Sequence, residues 1–216
     1  NHHAGGGGHG NVHGSLANPD WVTEYEDILT ATNALSTAEW QRMLVFSWLV
    51  MLLYSLKTGF FLLSWLRVRL NIPFSAFPLW LTDLCADPQR FPIVSAMLTT
   101  LHEKTASLLH GGGRGTEVEG TGGIYWEEEE AAYLTLAKRQ KEAFQEMQEL
   151  LGDFLAERKI SYDALELSEV MRYQQAVMPS PDGAAKSEID FAFAWHSWFE
   201  NLFETDRPQL ECQAQR

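Results

Sequence analysis

The run MLVFSWLVMLLYSL, residues 43–56, decides the fold, because it reads either as part of a membrane span or as the central helix of a globular body. It is about fourteen residues long, in the range of a buried core helix rather than the roughly twenty of a span. Reaching span length means crossing Lys57-Thr58-Gly59, and a lysine at mid-membrane costs about 3 kcal/mol. The run therefore reads as a core helix. LSTAEW starts it, with Ser36 as N-cap and Glu39 reaching back to close a capping box. The spacing predicts a helix over 37–57, with Lys57 suited to its negative end and Gly59 as the left-handed residue that stops it. Trp40, Met43, Leu44, Phe46, Trp48, Leu49, Met51, Leu52 and Leu53 point nearly all round the axis, which predicts burial on every side.

Outward from this helix the punctuation is mostly helical. A second helix over 60–70 ends ahead of NIPF, because Pro73 disfavours helix at the residue before it. A third runs from Ser75 to Ala86 with Pro78 in its first turn. Asp87-Pro88 caps a fourth, which has Pro92 near its entry and runs to His110. GGGRGTEVEGTGG, residues 111–123, reads as a linker or long loop, and it lacks the strand-then-helix setting and terminal Lys of a phosphate loop. The longest helix is expected over 127–158, opened by acids and closed by Arg158-Lys159 in the order the helix dipole favours. A further helix covers 163–177. Ile189, Phe191, Phe193 and Trp195 then alternate with smaller or polar residues, which reads as a short strand, and Trp198, Phe199, Leu202 and Phe203 continue on a helical face. No partner strand is evident in the sequence.

The predicted fold class is mainly α, an irregular helical bundle with a small C-terminal strand-helix appendage. It divides into a flexible Gly/His-rich lead-in over 1–20, a helical N-terminal half over 21–110, the loop over 111–123, a helical C-terminal half over 124–178 and the appendage over 188–204. At 216 residues the chain can hold one sizeable domain. A formal net charge of -13 argues against nucleic acid as a partner. Cys85 and Cys212, far apart and without metal-ligand spacing, suggest a reducing, cytoplasmic compartment. The opening has no secretory signal pattern, and its start at Asn rather than Met suggests a processed chain or a piece of something longer.

The titratable residues read blandly. His2, His3, His9 and His13 are good ligand types, but the glycines between them supply no order, so no metal site is expected. Glu127 to Glu130 read as a solvated helix start, since consecutive helical residues point in different directions. His102 beside Glu103, and His196 beside Trp195, lack HExxH spacing. Cys85 lacks a nearby basic residue and reads as an inert core thiol. No catalytic set emerges.

The succession VTEYEDILTATNALSTAEWQRMLVFSWLVMLLYSL, LNIPFSAFPLWL, a Gly-rich loop, GGIYWEEEEAAYL, MRYQQAVMPSP and IDFAFAWHSWFENLF resembles the C-terminal region of cobalamin-binding (vitamin B12-binding) radical SAM proteins, downstream of their catalytic barrel. The resemblance covers residues 22–203. It implies a parent enzyme in which a CxxxCxxC motif holds a four-iron, four-sulfur cluster, S-adenosylmethionine ligates the open iron, and cobalamin often carries methyl groups. Cys85 and Cys212 cannot make that triplet, so the chain alone is expected to bind none of these cofactors and to have no catalytic residue. Its implied partners are the radical SAM barrel and the cobalamin-binding domain, and the partner of the strand near 188–195 would lie there.

Substrate contact, on this reading, is sought at Tyr125 and Trp126 and at Arg172, Tyr173 and Gln174, which sit beside loops; packing is the competing role for each. The rival reading is a membrane-peripheral or helical interaction module that uses 60–70, with Arg67 and Arg69 at lipid headgroups, although a membrane is not the expected partner. A helical oligomerisation domain is the third.

Overall fold

Residues 3–5, 27–179, 188–202, 204–205 and 208–212 are described in the computed structural model. The fold is mainly α, as expected. Helix α1, Thr37–Val50, begins at Ser36 with the predicted capping box: Glu39 N–H donates to Ser36 Oγ at 3.3 Å and Ser36 N–H to Glu39 Oε2 at 2.8 Å. The core reading of 43–56 holds for Val45, Trp48, Leu49, Leu52 and Leu53, which are buried. Burial on every side does not hold, for Met43, Met51 and Tyr54 are 49%, 41% and 45% exposed. Among the described residues no single helix is long and apolar enough to cross a membrane.

The helix also ends differently from the prediction. Its last turn, Met51–Ser55, widens into a π-helix, and Thr58 and Gly59 N–H then bond back to Leu52 and Leu53 carbonyls at 3.3 and 2.9 Å. The buried Thr58 hydroxyl donates to Leu52 O at 2.7 Å, so the freed carbonyls find partners. The left-handed residue is Lys57 (φ 59), not Gly59 (φ -138). Gly59 is needed for a different reason: a Cβ there would lie 2.9 Å from Leu53 Cδ2.

Helix α2, Phe60–Arg69, leaves at 91° to the first, and buries Leu62, Leu63, Trp65 and Leu66. Its apolar face belongs to the core, and Arg69 pairs with Glu166. Helix α3, Ala76–Asp83, stops short of Ala86 because Leu84 is extended. Helix α4, Pro92–Leu109, starts at its proline, while Asp87 caps only a turn, accepting from Phe91 N–H at 2.7 Å through its carbonyl.

The Gly-rich loop contains a small antiparallel ladder, β3 (Thr116–Glu117) with β4 (Tyr125–Trp126); β1 (His3–Gly5) and β2 (Asp27–Leu29) form another. The remainder of the proposed lead-in, including His2, His9 and His13, lies outside the described residues. The single long helix over 127–158 is in fact two, α5 (Glu128–Lys138) and α6 (Gln140–Glu157), broken at Arg139 (φ -126, ψ 43). Polar Arg139 and Gln140 fall where the apolar stripe would continue, so a kink lets Ala143, Phe144 and Met147 bury on a new line. Helix α7, Ala164–Val177, starts under Asp163, whose side chain accepts from Leu165 N–H at 2.7 Å.

Carboxylates of the second half anchor the rest. Glu146 of α6 accepts Ile93 and Val94 N–H at 3.0 and 2.9 Å, capping α4, whose own N-cap residue Phe91 has no side-chain acceptor. Glu166 of α7 accepts Trp65 Nε1–H at 3.0 Å and the Arg69 guanidinium. Glu169 accepts Ala192 and Phe193 N–H at 2.7 and 3.2 Å and Trp195 Nε1–H at 3.0 Å. This last set corrects the predicted strand over 188–195. The N–H groups that a neighbouring strand would bind are taken by Glu169, and Phe193 makes just an isolated bridge, to Cys212 of the same chain. Helix α8, Trp195–Asn201, follows with Trp195, Trp198 and Phe199 buried.

Candidate functional site

The widened turn at Met51–Ser55 borders a cleft of about 660 Å³ whose walls include Ser55, Lys57, Phe61, Trp126, Glu130 and Tyr133. Five elements meet there: the π turn, the start of α2, β4, the first half of α5 and, through Val177 and Met178, the end of α7. Phe61, Trp126 and Tyr133 give the cleft aromatic walls, with Glu130 and Lys57, the left-handed residue of the turn, as its charged groups. Lys57 Nζ stands 5.8 Å from the Phe60 ring centroid, and Glu130 Oε2 accepts Glu127 N–H at 3.3 Å in a capping box. Such a space can hold an apolar or aromatic group against the rings and a polar one near the mouth.

Of the residues proposed from sequence, Trp126 lines this cleft. Tyr125 sits on β4 opposite Glu117. Gln174 is fully buried and bonds the backbone of two lining residues: its Oε1 accepts Phe61 N–H at 2.9 Å and its Nε2 donates to Lys57 O at 2.6 Å. Tyr173 packs its ring 5.2 Å from Phe61 and 5.0 Å from Phe199, and its hydroxyl is 3.4 Å from His196 Nδ1. Burial, and then the charge of Glu200, pushes the Tyr173 phenol above its ordinary pKa. Arg172 donates to Asp190 O at 3.2 Å and stacks over Phe191, so Arg172 and Tyr173 hold the C-terminal segment onto α7. The two sequence segments thus meet at Phe61, one lining the cleft and the other supporting it.

A second, polar cleft of about 630 Å³ lies among α1, α3 and α4, lined by Gln41, Arg42, Asp83, Cys85, His102 and Thr105. Asp83 is held below the ordinary carboxylate range, first by its hydrogen bonds from Arg42, then by the charges of Arg42 and His102. Cys85 is exposed here rather than in the core, and Arg42 and His102 line the same cleft. No local signal could have united residues so distant along the chain.

The acids at 127–130 are not a solvated run. Glu128 is 4% exposed, accepts Gly115 N–H at 3.0 Å and lies 3.4 Å from Lys104 Nζ. Burial is the largest influence on half-buried Glu129 and raises its pKa; Glu127, Glu128 and Glu130 raise it further against its own backbone N–H. Among the described residues no group of three His, Cys, Asp or Glu could hold a metal ion. Compared with protein-family models and with curated proteins, the chain matches none of either.

Proposed function

We propose that the chain is the helical accessory region of a cobalamin-dependent radical SAM enzyme, lying after the catalytic barrel and lending one wall of the substrate site. The observation that carries the reading is the aromatic cleft at the π turn, where Trp126, one of the residues chosen from sequence, stands with Phe61 and Tyr133. In support, π turns and left-handed non-glycine residues concentrate at functional sites, and Met51–Ser55 and Lys57 supply both beside this cleft. The segments on which the resemblance rests include the π turn, Trp126 and the Gln174 brace.

The iron-sulfur cluster of such an enzyme does not fit this chain. A cluster held by a cysteine triplet needs three positioned thiolates, and the sequence has Cys85 and Cys212 alone. The proposed role is therefore physical: to cover a reacting substrate and keep water from its intermediates. Reading the coding frame upstream of Asn1 is the first test, with an in-frame CxxxCxxC triplet expected and an adjacent stop codon opposing the proposal. In the joined enzyme, Trp126→Ala should raise KM or lower kcat while iron and cobalamin content stay unchanged. Unaltered kinetics would remove Trp126 from the site.

A further inference from the structure

Beside the cleft, the outer side of α1 and its π turn carries an apolar face that remains exposed among the described residues. Met51 and Tyr54 are exposed there, and Phe74, 41% exposed, packs its ring 5.9 Å from Tyr54 at the start of α3. The half-buried Phe60 ring joins them, 5.3 Å from Tyr54. Met43 and Leu79 extend the face along α1 and α3, which run antiparallel to the Arg42–Asp83 pair at their far end. Isolated exposed hydrophobes are ordinary, whereas a contiguous set marks an interaction surface.

The segments that form the face are basic. In a chain of net charge -13, no Asp or Glu occurs from residue 40 to residue 82, while Arg42, Lys57, Arg67 and Arg69 do. Arg42 and Arg69 are occupied by Asp83 and Glu166. Lys57 and Arg67 make no ion pair with any described residue: Lys57 rests over Phe60, and Arg67 donates to Asn71, just ahead of Phe74. Lys57 thus stands against one ring of the face, and Arg67 is tied to the segment that leads into Phe74.

We propose that this face docks on an anionic lipid surface. Met51 and Phe74 enter the boundary between headgroups and acyl chains, the Tyr54 ring lies at headgroup level, and Lys57 and Arg67 reach lipid phosphates or carboxylates. An apolar protein partner would have to bury both cations and supply carboxylates for them, whereas a headgroup layer receives them solvated. The negative charge elsewhere does not prevent this, because it is screened over about 8 Å at physiological ionic strength. With few inserted side chains and two cations, the attachment is weak and reversible.

Vesicle co-sedimentation of the full 216-residue chain tests it. Binding is expected to phosphatidylcholine vesicles containing phosphatidylserine, not to pure phosphatidylcholine, and to fade as salt rises from about 0.1 M to about 1 M and the Debye length shrinks from ~10 to ~3 Å. Lys57→Gln with Arg67→Gln should lower partitioning about 25-fold, roughly fivefold per cation near an anionic surface. Tyr54→Glu with Phe74→Glu should abolish it, with helical circular dichroism confirming the fold. A fluorophore on Met51→Cys, in a Cys85→Ser, Cys212→Ser background, should shift to the blue on the anionic vesicles even if the double glutamate variant misfolds. Equal binding to neutral and anionic vesicles, no binding to either, or a dimer in sedimentation that the glutamate pair disrupts would each overturn the proposal.

Discussion

Gln174→Leu tests how the cleft is built. The side chain is 0% exposed and braces both ends of the turn between the π helix and α2. Phe61 N–H is one of the donors at the start of α2 that has no intrahelical partner, and Gly59, at the N-cap, has no side chain to offer it. Leucine is similar in size, so little packing is lost, but Phe61 N–H and Lys57 C=O each lose their bond. A buried polar group left unpaired costs about 1–3 kcal/mol. Lys57 is itself exposed, so water can reach its carbonyl and the second loss falls at the low end. The expected destabilisation is about 2–4 kcal/mol, which lowers the urea midpoint by roughly 1–2 M at a slope of about 2 kcal/mol per M. Urea unfolding followed by tryptophan fluorescence and circular dichroism together would measure it. Gln145→Leu, at an exposed site on α6, is the control and should change stability by less than about 0.5 kcal/mol. A Gln174→Leu loss below about 1 kcal/mol, or equal to the control, would refute the reasoning.

Glu146→Ala should expose the start of α4. Loss of charge-assisted bonds to Ile93 and Val94 N–H should cost about 2–3 kcal/mol, and hydrogen exchange at those amides should accelerate. Lys57→Gly and Gly59→Ala should act in opposite directions in thermal unfolding. The first removes a left-handed penalty of about 1–2 kcal/mol against a glycine entropy cost of about 0.5–1 kcal/mol, so it is neutral or stabilising. The second drives a methyl against Leu53 and destabilises. Glu129→Gln gives a pH test. Because the folded pKa lies above the unfolded one, Glu129 weakens the fold increasingly as pH rises from about 4.3 to its raised value, and by a constant amount above that. The variant should therefore melt higher than the parent at pH 7 and like it at lower pH.

Local chemistry was legible in the sequence. Ser36 with Glu39 caps α1 using a neighbour three residues away, so its position could be read directly. The buried acids were not legible. Glu146, Glu166 and Glu169 have the composition of a wet helix face, yet their partners, Ile93, Trp65 and Trp195, are brought to them by tertiary folding. The same cause undid the strand at 188–195: its alternation was real, but Glu169 occupies the backbone donors that pairing would have used. At the cleft, Trp126 stood out as an aromatic beside a loop. Phe61 and Tyr133 did not, because their apolar spacing is that of ordinary core residues. The end of α1 failed for a finer reason, since glycine's freedom pointed to Gly59 while the backbone placed the left-handed turn at Lys57.

The most direct measurement of the functional account is iron and corrin content, compared between this 216-residue chain and the product of the complete reading frame. The account predicts neither in the chain and both in the longer product. A 216-residue chain that binds iron stoichiometrically, or a complete product that holds no iron and no corrin after anaerobic reconstitution, would contradict it.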